Sequence, residues 1–165
     1  LKSEGIKNKI KSLREICPNI AIRTSIIVGF PGEEEEDFNE LIDFVKEVKF
    51  DRLGVFTYSD EEGTYAADNL EDNIPDKVKQ NRYDRIMMVQ QEISLEKNKT
   101  LIGCQDTVVI DKSSEDEGWS IARSYRDAPE IDNYVKINQK LEVGEFYSIK
   151  VTEAFEYDVI GEIND

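Results

Sequence analysis

Polar side chains follow a short apolar segment at residues 56–64, whose sequence is Phe-Thr-Tyr-Ser-Asp-Glu-Glu-Gly-Thr. A tyrosine and carboxylates just past the end of a strand is the layout by which α/β barrels present groups to their ligands. Tyr58 could contact a ligand there, and Glu61 and Glu62 could accept hydrogen bonds from it. The alternative is a solvated acidic turn in which Gly63 supplies a positive φ.

A similar arrangement lies upstream, where an apolar segment runs into a turn. The turn consists of Val28, Gly29, Phe30, Pro31, Gly32 and Glu33. Its glycines allow a ligand to approach main-chain groups, and the start of a following helix favours polar groups. The alternative is an ordinary strand-to-helix turn that uses Gly and Pro for geometry. It is not a Walker loop, because no Gly-Lys-Ser/Thr follows.

A third polar segment, residues 123–132, has the sequence Arg-Ser-Tyr-Arg-Asp-Ala-Pro-Glu-Ile-Asp and links two predicted strands. Loops between barrel strands are common binding surfaces. The candidate contact residues in this loop are Arg123, Asp127, Glu130 and Asp132. Alternatively, its arginines and acids pair with each other on the surface, which contributes little energy.

The spacing of apolar residues predicts the elements that position the first two segments. Residues 6–16 form an amphipathic helix ended by Pro18, and β-branched residues at 20–28 form a buried strand. Acidic residues 33–37 begin a second helix, where carboxylates favour the positive end of the helix dipole. A second strand follows at 51–57. Strands that alternate with helices indicate βαβ units and a parallel sheet.

After a polar loop at 58–73, a long helix is predicted from Pro75 to about Leu101. Its buried side is marked by three apolar residues, Ile86, Val89 and Ile93. From Gly103 onward the apolar period changes to two, which indicates strands with one buried face. The five strand candidates are residues 105–110, 119–123, 134–137, 146–152 and 157–163.

Short strands joined by turns predict a small antiparallel β-barrel. The fold class is therefore α/β: a partial (β/α) barrel over residues 1–98, followed by a five-stranded antiparallel barrel over residues 99–165.

Charge and composition limit the function. The chain carries 36 acidic against 21 basic residues, a net charge of −15, which opposes binding to a phosphate backbone. No apolar run is long enough to span a bilayer. With no histidine, mechanisms that need an imidazole base are excluded from this chain. Cys17 and Cys104 lack metal-ligand spacing, and we expect them to be buried reduced thiols of a cytoplasmic protein.

The three segments, in this order and before a terminal β-barrel, resemble the radical S-adenosylmethionine methylthiotransferases. The Glu-Glu-Gly-Thr at residues 61–64 and the Asp-Ala-Pro-Glu-Ile-Asp at 127–132 resemble the branch that modifies an aspartate of small-subunit ribosomal protein twelve. The broader radical-enzyme pattern Gly-x-Ile-x-Gly-x-x-Glu is matched loosely. Ile27 and Gly29 fit that pattern, but Glu33 is displaced by one position.

The resemblance implies a larger enzyme with an amino-terminal cluster domain, a radical barrel and a terminal TRAM barrel, which is OB-like. Residues 1–98 would be the last part of the radical barrel, and 99–165 the TRAM domain that docks the substrate. Such enzymes use S-adenosylmethionine and 4Fe-4S clusters. The cysteine motifs for those clusters are absent here, so the chain alone is expected to be inactive, with no catalytic residue and no metal ligand.

The resemblance also assigns residues to the site. Residues 28–33 would lie near the methionine and adenosyl parts of the cofactor, and Phe56 and Tyr58 near its adenine. Contacts with the substrate would come from six residues: Glu61, Glu62, Arg123, Asp127, Glu130 and Asp132.

The implied partner is a basic ribosomal protein of the small subunit. Residues 98–165 contain seven Lys or Arg against fifteen Asp or Glu, which suits a cationic protein better than a nucleic acid. Two alternatives stay open: a tRNA-modifying methylthiotransferase with an RNA-binding TRAM domain, and a non-catalytic interaction module. The chain begins on Leu1 within a helical pattern, so we expect a piece of a longer protein whose open sheet edges favour self-association.

Overall fold

The computed structural model describes residues 3–164. Backbone contacts divide the chain into two compact units, Leu1–Gln90 and Gln91–Asp165. The division falls within a long helix. The boundary between residues 98 and 99 inferred from the sequence stays a prediction.

The first unit alternates helices and strands as predicted. Its elements are α1 (Ser3–Ile16), β1 (Arg23–Val28), α2 (Glu35–Val48), β2 (Arg52–Thr57), α3 (Tyr65–Asn69) and the first part of α4 (Asp76–Thr100). β1 and β2 pair in parallel, with Arg23 opposite Arg52 and Val28 opposite Thr57. The βαβ prediction is confirmed. The short α3, capped by the Thr64 hydroxyl that accepts the Ala67 N–H at 3.3 Å, was not predicted.

The parallel sheet buries one of its two faces. Val28 and Val55 pack against Phe38 of α2 and Ile86 of α4. On the opposite face, Ile27 and Phe56 lie directly across from each other and are 55% and 59% exposed. The prediction that β1 is buried is therefore correct for Val28 only, because side chains alternate between the faces of a sheet and the other β1 residues are half-buried or exposed.

The first helix, α1, buries little of the apolar stripe predicted for it from the sequence. Ile10 packs with Val48 and Phe50, whereas Leu13 is 44% and Ile16 83% exposed. The long helix α4 spans the predicted range, and its predicted residues Ile86 and Ile93 are buried.

The second unit contains five strands that form a closed barrel. They are β3 (Gln105–Ser114), β4 (Trp119–Arg123), β5 (Val135–Ile137), β6 (Phe146–Ala154) and β7 (Val159–Ile163), in the order β3-β4-β5-β7-β6. The interior is aliphatic, and its fully buried members include Val108, Ile110, Ile137, Ile149 and Val151. The α/β fold class and the terminal five-stranded barrel are confirmed.

One ladder departs from the antiparallel prediction. Four of the strand pairs are antiparallel, but β5 and β7 run in parallel, with Lys136 opposite Ile160. The reason is geometric. Because the ring has an odd number of strands, strand directions cannot alternate all the way round. At least one neighbouring pair must therefore be parallel.

The prediction for the cysteines is half wrong. Cys17 and Cys104 are both free, as expected, but both are exposed rather than buried. Each lies in a turn at the end of a helix: Cys17 N–H donates to Leu13 O at 2.8 Å, and Cys104 N–H to Leu101 O at 2.9 Å. Chain ends of helices turn at the surface, which leaves both thiols open to solvent.

Among residues 3–164, no helix combines the length and apolarity needed to cross a membrane.

Candidate functional site

The two polar segments of the first unit meet at one edge of the sheet. Tyr58 N–H donates to Val28 O at 2.9 Å, which joins the residue after β2 to the last residue of β1. The rings of Phe30 and Tyr58 stack edge to face, with centroids 5.1 Å apart and planes at 72°. This follows from parallel pairing, because the carboxyl ends of parallel strands share an edge, where ligands of open α/β sheets bind.

The turn after β1 depends on two glycines with left-handed backbones. Gly29 has φ +73° and Gly32 φ +84°. A Cβ on Gly29 would lie 2.4 Å from Lys79 Cγ, whereas a Cβ on Gly32 would meet nothing within 4 Å. The Gly29 main chain is thus covered by the Lys79 side chain, and the Gly32 main chain faces open space.

Glu33 shapes this turn from within. Its carboxylate accepts the Gly29 N–H at 3.1 and 3.2 Å, and Arg82 Nη1 donates to Oε1 at 2.7 Å. The Glu33 side chain is only 13% exposed. Its carboxylate therefore has internal partners, and its sequence-based assignment to the cofactor site stays a prediction.

Tyr58 is held at both ends. Lys79 Nζ donates to its carbonyl oxygen at 3.2 Å, and its hydroxyl donates to Asp60 Oδ1 at 2.8 Å. The hydrogen bond to the Asp60 carboxylate raises the pKa of Tyr58 to about 12, with desolvation adding to the effect. Tyr58 is therefore a neutral phenol at physiological pH and cannot act as a base there.

The acidic turn after β2 stays outside this contact network. Glu61 and Glu62 are exposed, and Glu61 contributes its carbonyl oxygen, which accepts the Thr64 N–H at 3.1 Å and the Thr64 hydroxyl at 2.9 Å. Gly63 has φ +81°, as a turn glycine would. Both carboxylates face solvent. The geometry is that of the alternative given above, an acidic turn on the surface with a glycine at positive φ.

The edge where β1 and β2 end presents exposed groups. It combines apolar and aromatic surface at Ile27, Phe30 and Phe56 with the open main chain of Gly32. Within residues 3–164, no group of three or more His, Cys, Asp or Glu side chains could hold a metal ion.

Two residues at this edge were missed by the sequence analysis: Lys79 and Arg82, each 4% exposed. The available signal was their spacing of three, with Ile86 four residues further on, which places all three on one face of a helix. Residue type gives no signal of their burial, because lysine and arginine are rarely buried.

In the second unit, polar groups of the predicted loop at residues 123–132 hydrogen-bond to each other. Asp127 accepts the Ser124 hydroxyl at 2.6 Å, and Asp132 accepts the Ala128 N–H at 2.7 Å. Glu130 is exposed with a left-handed backbone at φ +62°. These three acids are brought into one loop, and two of the carboxylates stabilise its shape.

Arg123 lies beside this loop, in the wall of a groove of about 580 Å³ on the barrel surface. Its Nε donates to both carboxylate oxygens of Asp111, at 2.9 and 3.0 Å. Two aromatic residues of the groove, Tyr125 and Phe146, are 62% and 72% exposed and were not predicted. The alternation that buries Ile149 puts Phe146 on the outer face, so the pattern contained this signal.

Comparison with known proteins extends these observations. A model of the TRAM domain family matches residues 102–163, which contain the closed barrel. The ribosomal protein uS12 methylthiotransferase RimO of Clostridioides difficile is 50% identical over 162 residues, 97% of this chain and 36% of the relative.

Two further relatives with the same description agree. RimO of Vibrio cholerae serotype O1 is 48% identical over 98% of the chain, and RimO of Psychrobacter arcticus 46% identical over 95%. The chain spans 34% and 30% of their lengths. The resemblance inferred from the three segments is confirmed: over nearly its whole length the chain is similar to RimO methylthiotransferases, and its residues 102–163 match the TRAM domain family.

Proposed function

We propose that this chain supplies part of the S-adenosylmethionine site and the substrate-docking domain of a methylthiotransferase that modifies an aspartate of ribosomal protein uS12. The observation that carries the proposal is identity of 46–50% to RimO proteins over at least 95% of the chain. When bound, the cofactor would supply radical chemistry at an unactivated carbon of the substrate. The protein positions the cofactor and the substrate.

The edge formed by β1 and β2 fits S-adenosylmethionine. The exposed rings of Phe30 and Phe56 offer flat apolar surface for an adenine, and aromatic faces attract a sulfonium cation. The open main chain at Gly32 leaves room for the polar methionine part. Val28, by contrast, is fully buried, main chain included, and its carbonyl oxygen accepts the Tyr58 N–H, so it offers no exposed group to a ligand.

The described residues do not fit an iron–sulfur cluster. Cys17 and Cys104 belong to different units, and no cluster of candidate ligands exists within residues 3–164. We therefore assign no cluster ligand to this chain and propose that it is inactive by itself.

A titration tests the cofactor site. S-adenosylhomocysteine is added to the chain in a calorimeter, and Phe56→Ala is compared with Phe155→Ala, an exposed aromatic residue of the second unit. Loss of one stacking face weakens binding about tenfold in Phe56→Ala, since stacking of a base on an aromatic side chain contributes about 1–3 kcal/mol. Phe155→Ala keeps the affinity. Equal losses in both variants, or no binding to the wild-type chain, contradict the proposed site.

The acidic second unit is proposed to dock uS12. Seven basic against fifteen acidic residues in 98–165 attract a cationic protein and accelerate the encounter. The groove beside Arg123, with Tyr125 and Phe146 exposed, offers the apolar contacts that fix a docked segment. Four acids contribute to the attractive field, Glu61 and Glu62 in the first unit and Glu130 and Asp132 in the second.

Surface-immobilised uS12 tests the docking. Binding of the chain weakens as salt increases, and Phe146→Ala weakens it further, whereas Phe155→Ala does not. Association that is independent of salt contradicts steering. A gel shift with tRNA at physiological salt would instead favour the tRNA-modifying alternative.

We also propose that the protein acts in the cytoplasm, where ribosomal proteins are accessible, and that the open face bearing Ile27 and Phe56 makes the isolated chain self-associate.

A further inference from the structure

The part of α4 that belongs to the first unit carries two buried cations. Lys79 and Arg82 are separated by one helical turn, and their side chains are 5% exposed. Ile86 continues the same face and packs against the sheet. Buried charges are costly unless they are paired, so each cation should have a specific partner.

Lys79 connects both strand ends. Its stem passes over Gly29, with Cγ only 2.4 Å from the position of an added Cβ, and its Nζ donates to Tyr58 O at 3.2 Å. Nζ also pairs with Asp72, whose side chain is 22% exposed. One side chain thus contacts the turn after β1, the residue after β2 and the loop before α4.

Arg82 fixes the same turn from its other end. Its Nη1 donates to Glu33 Oε1 at 2.7 Å and to Glu33 O at 3.2 Å, while Glu33 holds the Gly29 N–H. Its Nε is buried without a hydrogen-bond partner among the described residues. The guanidinium is oriented by the Glu33 carboxylate and carbonyl oxygen, with Glu35 Oε2 3.7 Å from Nη2 and the Phe38 ring centroid 5.5 Å from Cζ.

Buried ion pairs are weak stabilising devices, because apolar side chains of similar volume often serve stability as well. They do provide directed donors. The carbonyl oxygens of Tyr58 and Glu33 can be fixed by Lys79 and Arg82, but not by an aliphatic residue.

We infer that Lys79 and Arg82 are positioning residues, which hold the main chain of residues 29–33 and of Tyr58 in the arrangement that receives the ligand. They act through these main-chain groups and do not themselves contact the ligand. The identity of that ligand as S-adenosylmethionine rests on the proposed function, while the positioning role rests on the contacts alone.

Amide hydrogen exchange tests the positioning role without any ligand. Lys79→Met retains the stem over Gly29 and removes the charge, and Lys77→Met is the matched control at an exposed position of α4. Exchange of the Tyr58 amide, which is bonded to Val28 O, should accelerate about tenfold or more, as loss of a charged hydrogen bond allows. The Lys49 amide, bonded to Val45 O at the end of α2, should keep its rate in both variants.

Equal acceleration at Tyr58 and Lys49 would indicate a general loss of stability and overturn the inference, as would no acceleration at Tyr58. If Lys79→Met does not fold, Asp72→Asn weakens the same ion pair from its more exposed side and gives the same comparison.

Titration with S-adenosylhomocysteine then separates the two proposals. Lys79→Met should weaken binding about tenfold and Lys77→Met should not. A wild-type chain that does not bind contradicts the proposed cofactor site, and the exchange rates still decide the positioning role.

Discussion

Substituting the two glycines of the turn after β1 separates backbone strain from crowding. Gly29 and Gly32 have nearly the same left-handed φ, +73° and +84°, but different surroundings. A Cβ at Gly29 meets three atoms of Lys79 at 2.4–3.1 Å, and a Cβ at Gly32 meets none. Gly32→Ala therefore serves as the matched control for Gly29→Ala.

The magnitudes follow from these surroundings. An alanine in the left-handed region costs about 1–2 kcal/mol at either position. Crowding of a packed side chain adds about 1–3 kcal/mol at Gly29 only. Lys79 cannot swing away cheaply, because its Nζ is held by Asp72 and by Tyr58 O. The free energy of unfolding should fall by about 1–2 kcal/mol in Gly32→Ala and by about 2–5 kcal/mol in Gly29→Ala.

Urea unfolding of the wild-type chain and the two variants measures these differences. Adding Lys79→Ala to Gly29→Ala removes the stem that the new methyl group meets, so the double variant should be less destabilised than the sum of the two single changes. Equal destabilisation by Gly29→Ala and Gly32→Ala would refute the reasoning, since it would mean that Lys79 does not restrict residue 29.

Three further predictions use other contacts of the first unit. Arg82→Met leaves the Glu33 carboxylate buried without its charged partner, and urea unfolding should show a loss of about 3–5 kcal/mol. The hydrogen bond to Asp60 that raises the pKa of Tyr58 from 10.0 to about 12 stabilises the fold below pH 10 and is lost as pH rises through 12. Between pH 10 and about 12, the free energy of unfolding measured by circular dichroism should therefore fall less in Tyr58→Phe than in the wild-type chain. Phe56→Ser should shift light scattering towards the monomer, because it removes apolar surface from the open face.

Much of the fold could be predicted because local patterns determine it. Period-two alternation located all five barrel strands, and the change at Gly103 separated them from the helical region. The meeting of Val28 and Tyr58 was also predictable, because parallel pairing places the ends of β1 and β2 at one edge.

Contacts between distant residues could not be predicted in the same way. Lys79 reaches Tyr58 O across 21 positions, and Arg82 reaches Glu33 across 49. Helical spacing places both cations on one face, but it does not show that this face is buried. Only the three-dimensional structure reveals the carbonyl oxygens that make their burial tolerable.

The exposure of individual side chains was also predicted poorly from the sequence. The thiols of Cys17 and Cys104 and the apolar residues Leu13 and Ile16 are exposed, although residue type favours burial. Residue type gives an average tendency, and positions at the ends of helices depart from it.

The closed ring of the second unit has a consequence for recognition. Each strand of the barrel, as the described residues form it, has a paired neighbour on both sides, so the ring has no edge strand to which an incoming strand could add. Any partner must then be selected by side chains and loops. Such a surface can change its partner by substitution alone, while the hydrogen-bonded framework beneath it stays the same.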